Sequence, residues 1–121
     1  MNIEKLGITE GPWKVEGSEE NLSIGNHSCS IFNGYSDAYD GWYEAPEKED
    51  AQLIATAPEM LEALISSCST FEWYTELHYK KHGVGHEKYT TNKRKFECLK
   101  GIIEKATNKP WEEIKELIDE S

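Results

Sequence analysis

Apolar residues recur at helical spacing through the middle of the chain and at alternating positions near its start. Leu53, Ile54 and Ala57 are followed by Leu61, Leu64, Ile65 and Cys68, and the stripe continues through Phe71, Thr75 and His78. Pro58 interrupts it. A proline has no N–H and its ring clashes with the preceding turn, so it is tolerated near a helix start and not inside one. Thr56, followed three residues later by Glu59, has the form of a capping box. The pattern predicts a kinked helix over 47–82. Pro46 fits the first turn of its short first piece, which has Glu47, Glu49 and Asp50 near its positive end and stops near Ala55. The long second piece runs from about Pro58 to Lys81, where Gly83-Val84-Gly85 ends it.

Farther along, Phe96, Leu99, Ile102, Ile103 and Ala106 share one helical face and predict a helix over 90–107, with Thr90 or Thr91 as its cap. Lys109-Pro110 closes that pattern, and Trp111, Ile114, Leu117 and Ile118 predict a terminal helix over 110–120. Residues 1–10 have no period and read as a lead-in. After Gly11-Pro12, Trp13-Lys14-Val15-Glu16 alternates, as do Leu22-Ser23-Ile24 and Cys29-Ser30-Ile31-Phe32, with an acidic turn at 18–21 and a hairpin turn at Gly25-Asn26. A meander this small needs cover. The expected fold is therefore α+β: an N-terminal three-stranded antiparallel sheet (11–33) packed on two long antiparallel helices, with a short C-terminal helix. The 121 residues suffice for a single domain.

Composition adds limits. The chain is 37% hydrophobic and 30% charged, with a net charge of −10. No apolar run approaches a membrane span, and the first residues lack the basic start and apolar core of a signal peptide. Cys29, Cys68 and Cys98 are an odd set without close pairing, as expected of reduced thiols in a cytoplasm. The acidity argues against nucleic acid as the partner. Yet residues 80–100 hold seven basic side chains (Lys80, Lys81, Lys88, Lys93, Arg94, Lys95 and Lys100) against Glu87 and Glu97, a local +5 in a remainder of −15. That segment is either a solvated face or a local anion site, and an anion site of this size suits a small phosphate-bearing ligand better than a long polyanion.

Candidate chemistry is sparse. His78, His82 and His86 are spaced at four, which suits zinc, but Gly83 and Gly85 intervene and no fourth ligand is evident, so no metal is expected. There is no Gly-x-Ser-x-Gly elbow and no phosphate-binding glycine loop. Cys98 lies at the edge of an apolar stripe and reads as core. The expectation is a protein that is not an enzyme and carries no cofactor. The segment 34–46 places Tyr35, Tyr39, Trp42 and Tyr43 among glycines and aspartates; such rings either pack on the sheet or a partner chain or stack on a ligand base. Tyr74, Tyr79 and Trp111 add aromatic surface, for which a homo-oligomer, most simply a two-fold dimer, is the expected cover. A binding site is readable from Trp13, Trp42 and Tyr43 as rings, with Lys80, Lys81, Asn92 and Arg94 near a helix start facing phosphates.

Gly11-Pro12-Trp13, followed by Asp50-Ala-Gln-Leu-Ile-Ala-Thr-Ala-Pro-Glu-Met-Leu-Glu-Ala-Leu64, resembles a family of small bacteriophage and prophage proteins. Their pattern is Gly-Pro-Trp, then Asn-Ala-x-Leu-Ile-Ala-x-Ala-Pro-Glu-Leu-Leu-Glu-Ala-Leu. The likeness covers most of residues 11–107, with Gln52 standing where many members have Arg. The predicted architecture also resembles the Thoeris anti-defence sponge proteins of phages, which sequester cyclic ADP-ribose-type immune signals as oligomers without cleaving them. That resemblance implies a small cyclic nucleotide as ligand, with Trp13 as a stacking ring and Asn92 and Arg94 as polar contacts. Two other readings remain: an acidic protein-binding inhibitor of a host defence enzyme, and a nucleic-acid binder using residues 80–100.

Overall fold

A computed structural model describes residues 1–17, 22–26, 28, 30–33 and 47–119. The chain divides into two compact units, one formed by Gly7–Met60 and the other by Met1–Leu6 with Leu61–Ser121.

The first unit holds the sheet. Strands β1 (Lys14–Glu16), β2 (Ser23–Gly25) and β3 (Ser30–Asn33) pair antiparallel in the order β1-β2-β3. Val15 lies opposite Ile24, and Ile24 opposite Phe32, so the apolar members of all three strands share one face. The register shifts between Ile24 and Gly25, a bulge that leaves Ile31 as the extra residue on β3 while Gly25 still pairs with Ser30. Helix α1 (Lys48–Ala55) covers the apolar face. Leu22, Ile24, Ala51 and Ala55 form the buried cluster, with Trp13, Val15 and Phe32 packed against it. The cover thus comes from α1, a helix expected from the sequence, and it uses unexpected residues. Ala51 and Ala55 are one turn apart and small enough to bring the helix backbone close to the sheet, while Leu53 and Ile54 are left exposed.

A one-residue break at Thr56 separates α1 from α2 (Ala57–His82), as Pro58 predicts. The capping box does not form as expected. Thr56 is in the right-handed helical region, its N–H is shared by the carbonyls of Gln52 and Leu53, and its hydroxyl donates back to the Gln52 carbonyl at 2.8 Å. The side chain closes the first helix where it was expected to open the second.

In the other unit, α2 packs with α3 (Glu87–Thr107) and α4 (Trp111–Asp119). Leu61, Ile65 and Cys68 of α2, Ile103 of α3, and Trp111 and Ile114 of α4 are its buried residues, joined by Ile3 and Leu6. These last two sit on a short 3-10 helix, Ile3–Leu6, that packs on α4, so the supposed lead-in contributes to the core. Trp111, expected as surplus surface, is 1% exposed. Its indole N–H donates to the Glu72 carboxylate at 3.0 Å, and Lys115 bridges the same carboxylate at 3.1 Å. Partial burial works against the Lys115 charge, but hydrogen bonds to Glu72 and Glu112 outweigh it and raise its pKa above the ordinary lysine value. Ile102 and Cys98, both expected in the apolar stripe of α3, are exposed, because the α3 face that packs inward centres on Ile103. No described helix is long and apolar enough to cross a membrane.

Candidate ligand-binding cleft

The corner between α2 and α3 is built by glycine and histidine. Gly83 takes a left-handed φ of +82°, and its N–H closes on the Tyr79 carbonyl at 2.9 Å, ending α2. Lys80, Lys81 and His82 occupy the last turn, where the helix dipole favours positive charge. The next helix begins at Glu87, earlier than Thr90 or Thr91 would set it, because His86 is its cap: the extended His86 accepts the Lys88 N–H on its Nδ1 at 3.1 Å.

Residues equidistant from this corner become neighbours. Tyr79 and Tyr89, each five residues from Val84, bring their ring centroids to 5.7 Å at a tilt of 51°. With Thr75, Glu76 and Lys80 they line an open cleft of about 310 Å³. Lys93 lies one turn beyond Tyr89 and holds its ammonium 5.5 Å from that ring's centroid. The Thr75 hydroxyl donates to the Phe71 carbonyl at 2.6 Å, so its oxygen is left to accept from a ligand. Rings, two ammonium groups and one carboxylate therefore meet at one corner. A flat ring can lie on tyrosine, an anionic group can reach Lys80, and Glu76 can accept from an amino or hydroxyl group.

The residues singled out from the sequence are placed as follows. Lys80 lines the cleft. Lys81 is exposed beside His82, and Arg94 is exposed with no ion pair among the described residues. Asn92 is half-buried, and its side-chain amide donates to the Lys88 carbonyl within α3 at 2.7 Å. Trp13 belongs to the sheet unit, where its ring packs on the buried cluster and its Nε1–H donates to the Thr9 carbonyl at 3.1 Å. Trp42 and Tyr43 lie outside the described residues, as do the rest of 34–46, the turn at 18–21 and Cys29. The sheet's outer face has its own hollow, about 450 Å³, lined by Lys14, Glu16, Ser23 and Ser30 among others and, among the described residues, by no aromatic ring.

Tyr89 and Lys93 were not singled out as rings and cations of one site. The available signal was the glycine-marked corner itself, which pairs residues symmetric about Val84. His78, His82 and His86 stack as a file, and among the described residues no group of three or more His, Cys, Asp or Glu side chains is placed to hold a metal ion.

The fold and cleft define a small α+β protein with an aromatic, lysine-flanked recess at a helical corner. The family model described as Salmonella phage P22 protein Y8K6 matches residues 1–110, and the chain belongs to that family of phage proteins. No curated protein and no solved structure matches it.

Proposed function

We propose that this phage protein binds and sequesters a cyclic ADP-ribose-type nucleotide immune signal of its host without cleaving it, as a homo-oligomer. The observation that supports this reading is the pairing of Tyr79 and Tyr89 beside Lys80 and Lys93. Stacking surfaces with one ammonium group in the cleft, and a second on the Tyr89 ring, suit a base joined to phosphates. The site differs from the one read in the sequence. Lys80 is kept, and the tyrosines take the ring role assigned to Trp13.

Thermal denaturation with cyclic ADP-ribose isomers tests it. Ligand at a hundredfold excess over Kd stabilises by about 2.7 kcal/mol, a shift of several degrees. Lys80→Glu and Tyr89→Ala abolish the shift, and the nucleotide is recovered unchanged after heating. A flat response across cyclic nucleotides overturns the reading, as does a Lys80→Glu protein that binds like wild type. Native mass measurement of the protein from infected cells reads the assembly and any retained ligand together.

One observation favours a second reading, an acidic inhibitor that docks on a host defence enzyme. Trp73 and Tyr74 are exposed and in edge contact at 5.0 Å, the kind of aromatic pair that anchors protein interfaces. Co-purification of one host enzyme, lost in high salt and on Trp73→Ala, is the result it expects.

A further inference from the structure

Four rings form a file along the end of α2 and across the corner. Tyr74 stacks on His78 at 6.3 Å, His78 on His82 at 5.8 Å, and His82 on His86 at 4.0 Å between centroids. Spacing by four puts the first three on one helix face. His86 joins them from beyond Gly83 and Gly85, and it holds the first turn of α3 in two ways. Its Nδ1 accepts the Lys88 N–H, and its carbonyl accepts both the N–H and the hydroxyl of Thr90 at 3.1 and 3.2 Å. Tyr89 stands between those two residues and forms one wall of the cleft. A backbone N–H can only donate, so the bond from Lys88 fixes His86 as the neutral tautomer with its proton on Nε2.

We propose that the α2–α3 corner is a proton-operated catch on the cleft: a proton on His86 Nδ1 unfastens the first turn of α3 and draws Tyr89 away from Tyr79, releasing what the cleft holds. The final clause rests on the ligand reading above; the catch itself does not. Three features of the corner give it this behaviour. A protonated Nδ1 turns an N–H toward the N–H of Lys88, so the cap is lost. The new charge sits at the positive end of a 21-residue helix. The same charge faces the His82 ring at 4.0 Å, with Lys81, Lys88 and His78 nearby; Tyr74 closes the far end of the file, and Glu87 is the acidic residue of the α3 first turn. His82 itself is held below the ordinary histidine value by loss of water around its ring and then by the charges of His86, His78, Lys88 and Lys81. His78 Nδ1 is buried with no hydrogen-bond partner, so a proton placed there has no acceptor. A proton on His86 Nδ1 therefore meets like charge at the point where α3 is fastened.

The test is amide hydrogen exchange at residues 88–91 of the full, ligand-free protein, corrected for intrinsic rates, between pH 7.5 and 5.5. In wild type the protection falls about fivefold on acidification, the size expected for loss of one cap. In His86→Asn, which caps without titrating, it stays flat. A wild type without a pH response, or one matched by His86→Asn, overturns the proposal. An imidazole nitrogen spectrum at pH 7.5 provides a check that needs no variant: a proton found on Nδ1 of His86 also overturns it. Cyclic ADP-ribose retention is measured in parallel, and it falls on acidification in wild type alone. If exchange responds as stated but no nucleotide binds at any pH, the catch stands and the nucleotide reading falls.

Discussion

Gly11 lies so close to Pro58 that a β-carbon on the glycine would sit 3.1 Å from the proline Cβ and 3.5 Å from its Cγ. The Gly-Pro-Trp start and the Ala-Pro-Glu segment, far apart in sequence, therefore meet within one compact unit. Gly11→Ala forces a contact tighter than ordinary packing, and the expected loss is about 1 kcal/mol or more, with Gly11→Val worse. Urea unfolding followed by tryptophan fluorescence measures it, as a lower midpoint at unchanged slope.

Glu72 is the anchor of the helical unit. Its carboxylate accepts from the Trp111 indole and from Lys115, tying α2 to α4. Glu72→Ala leaves a buried indole N–H without a partner, a loss of about 1–3 kcal/mol. Trp111→Phe removes the donor along with its need for an acceptor and is milder. Lys115→Ala costs less still, because its side chain is partly exposed. Ranking the three variants by thermal unfolding checks the order.

Stability should fall on the acid side of neutrality. His82 is depressed below the ordinary histidine value of 6.5, so its neutral form is favoured in the folded protein. Above pH 6.5 neither state takes the proton and the group has no effect. As pH falls below 6.5 the unfolded chain binds it first, so stability is lost progressively until the folded-state value is reached. His82→Phe keeps the stack without titrating, and the acid-side slope of unfolding free energy against pH becomes shallower than in wild type.

The thiols differ in reactivity. Burial first, and the Glu72 carboxylate second, push Cys68 up to about 11, and its Sγ lies 4.0 Å from the Phe96 carbonyl; Cys98 is exposed. Peptide mapping after iodoacetamide at pH 8 finds Cys98 alkylated and Cys68 protected until denaturant is added.

Much of the architecture was readable because its periods are clean. Alternation brought Val15, Ile24 and Phe32 to one face, Pro58 marked the break between helices, and Gly83 marked the stop. The failures fall where a local pattern is missing or does not decide. Ile3 and Leu6 occupy a segment too short to show one. Adjacent Ile102 and Ile103 both fit a helical stripe, and tertiary packing decides that Ile103 turns inward. Histidine is outside the usual capping set, so His86 was overlooked in favour of Thr90 and Thr91. The cleft required knowing that two helices fold back about Val84, which pairs Tyr79 with Tyr89; neither ring signals the other from its own surroundings.

The 3-10 helix at Ile3–Leu6 packs on α4, although all of Gly7–Met60 lies between it and the remainder of its unit. In topological terms the sheet unit is an insertion in the helical one. On the ribosome, residues 7–60 are made well before α4, and Ile3 and Leu6 wait for α4 before the surface they pack on exists. The unit that begins with Met1 is thus the later of the two to have all of its residues made.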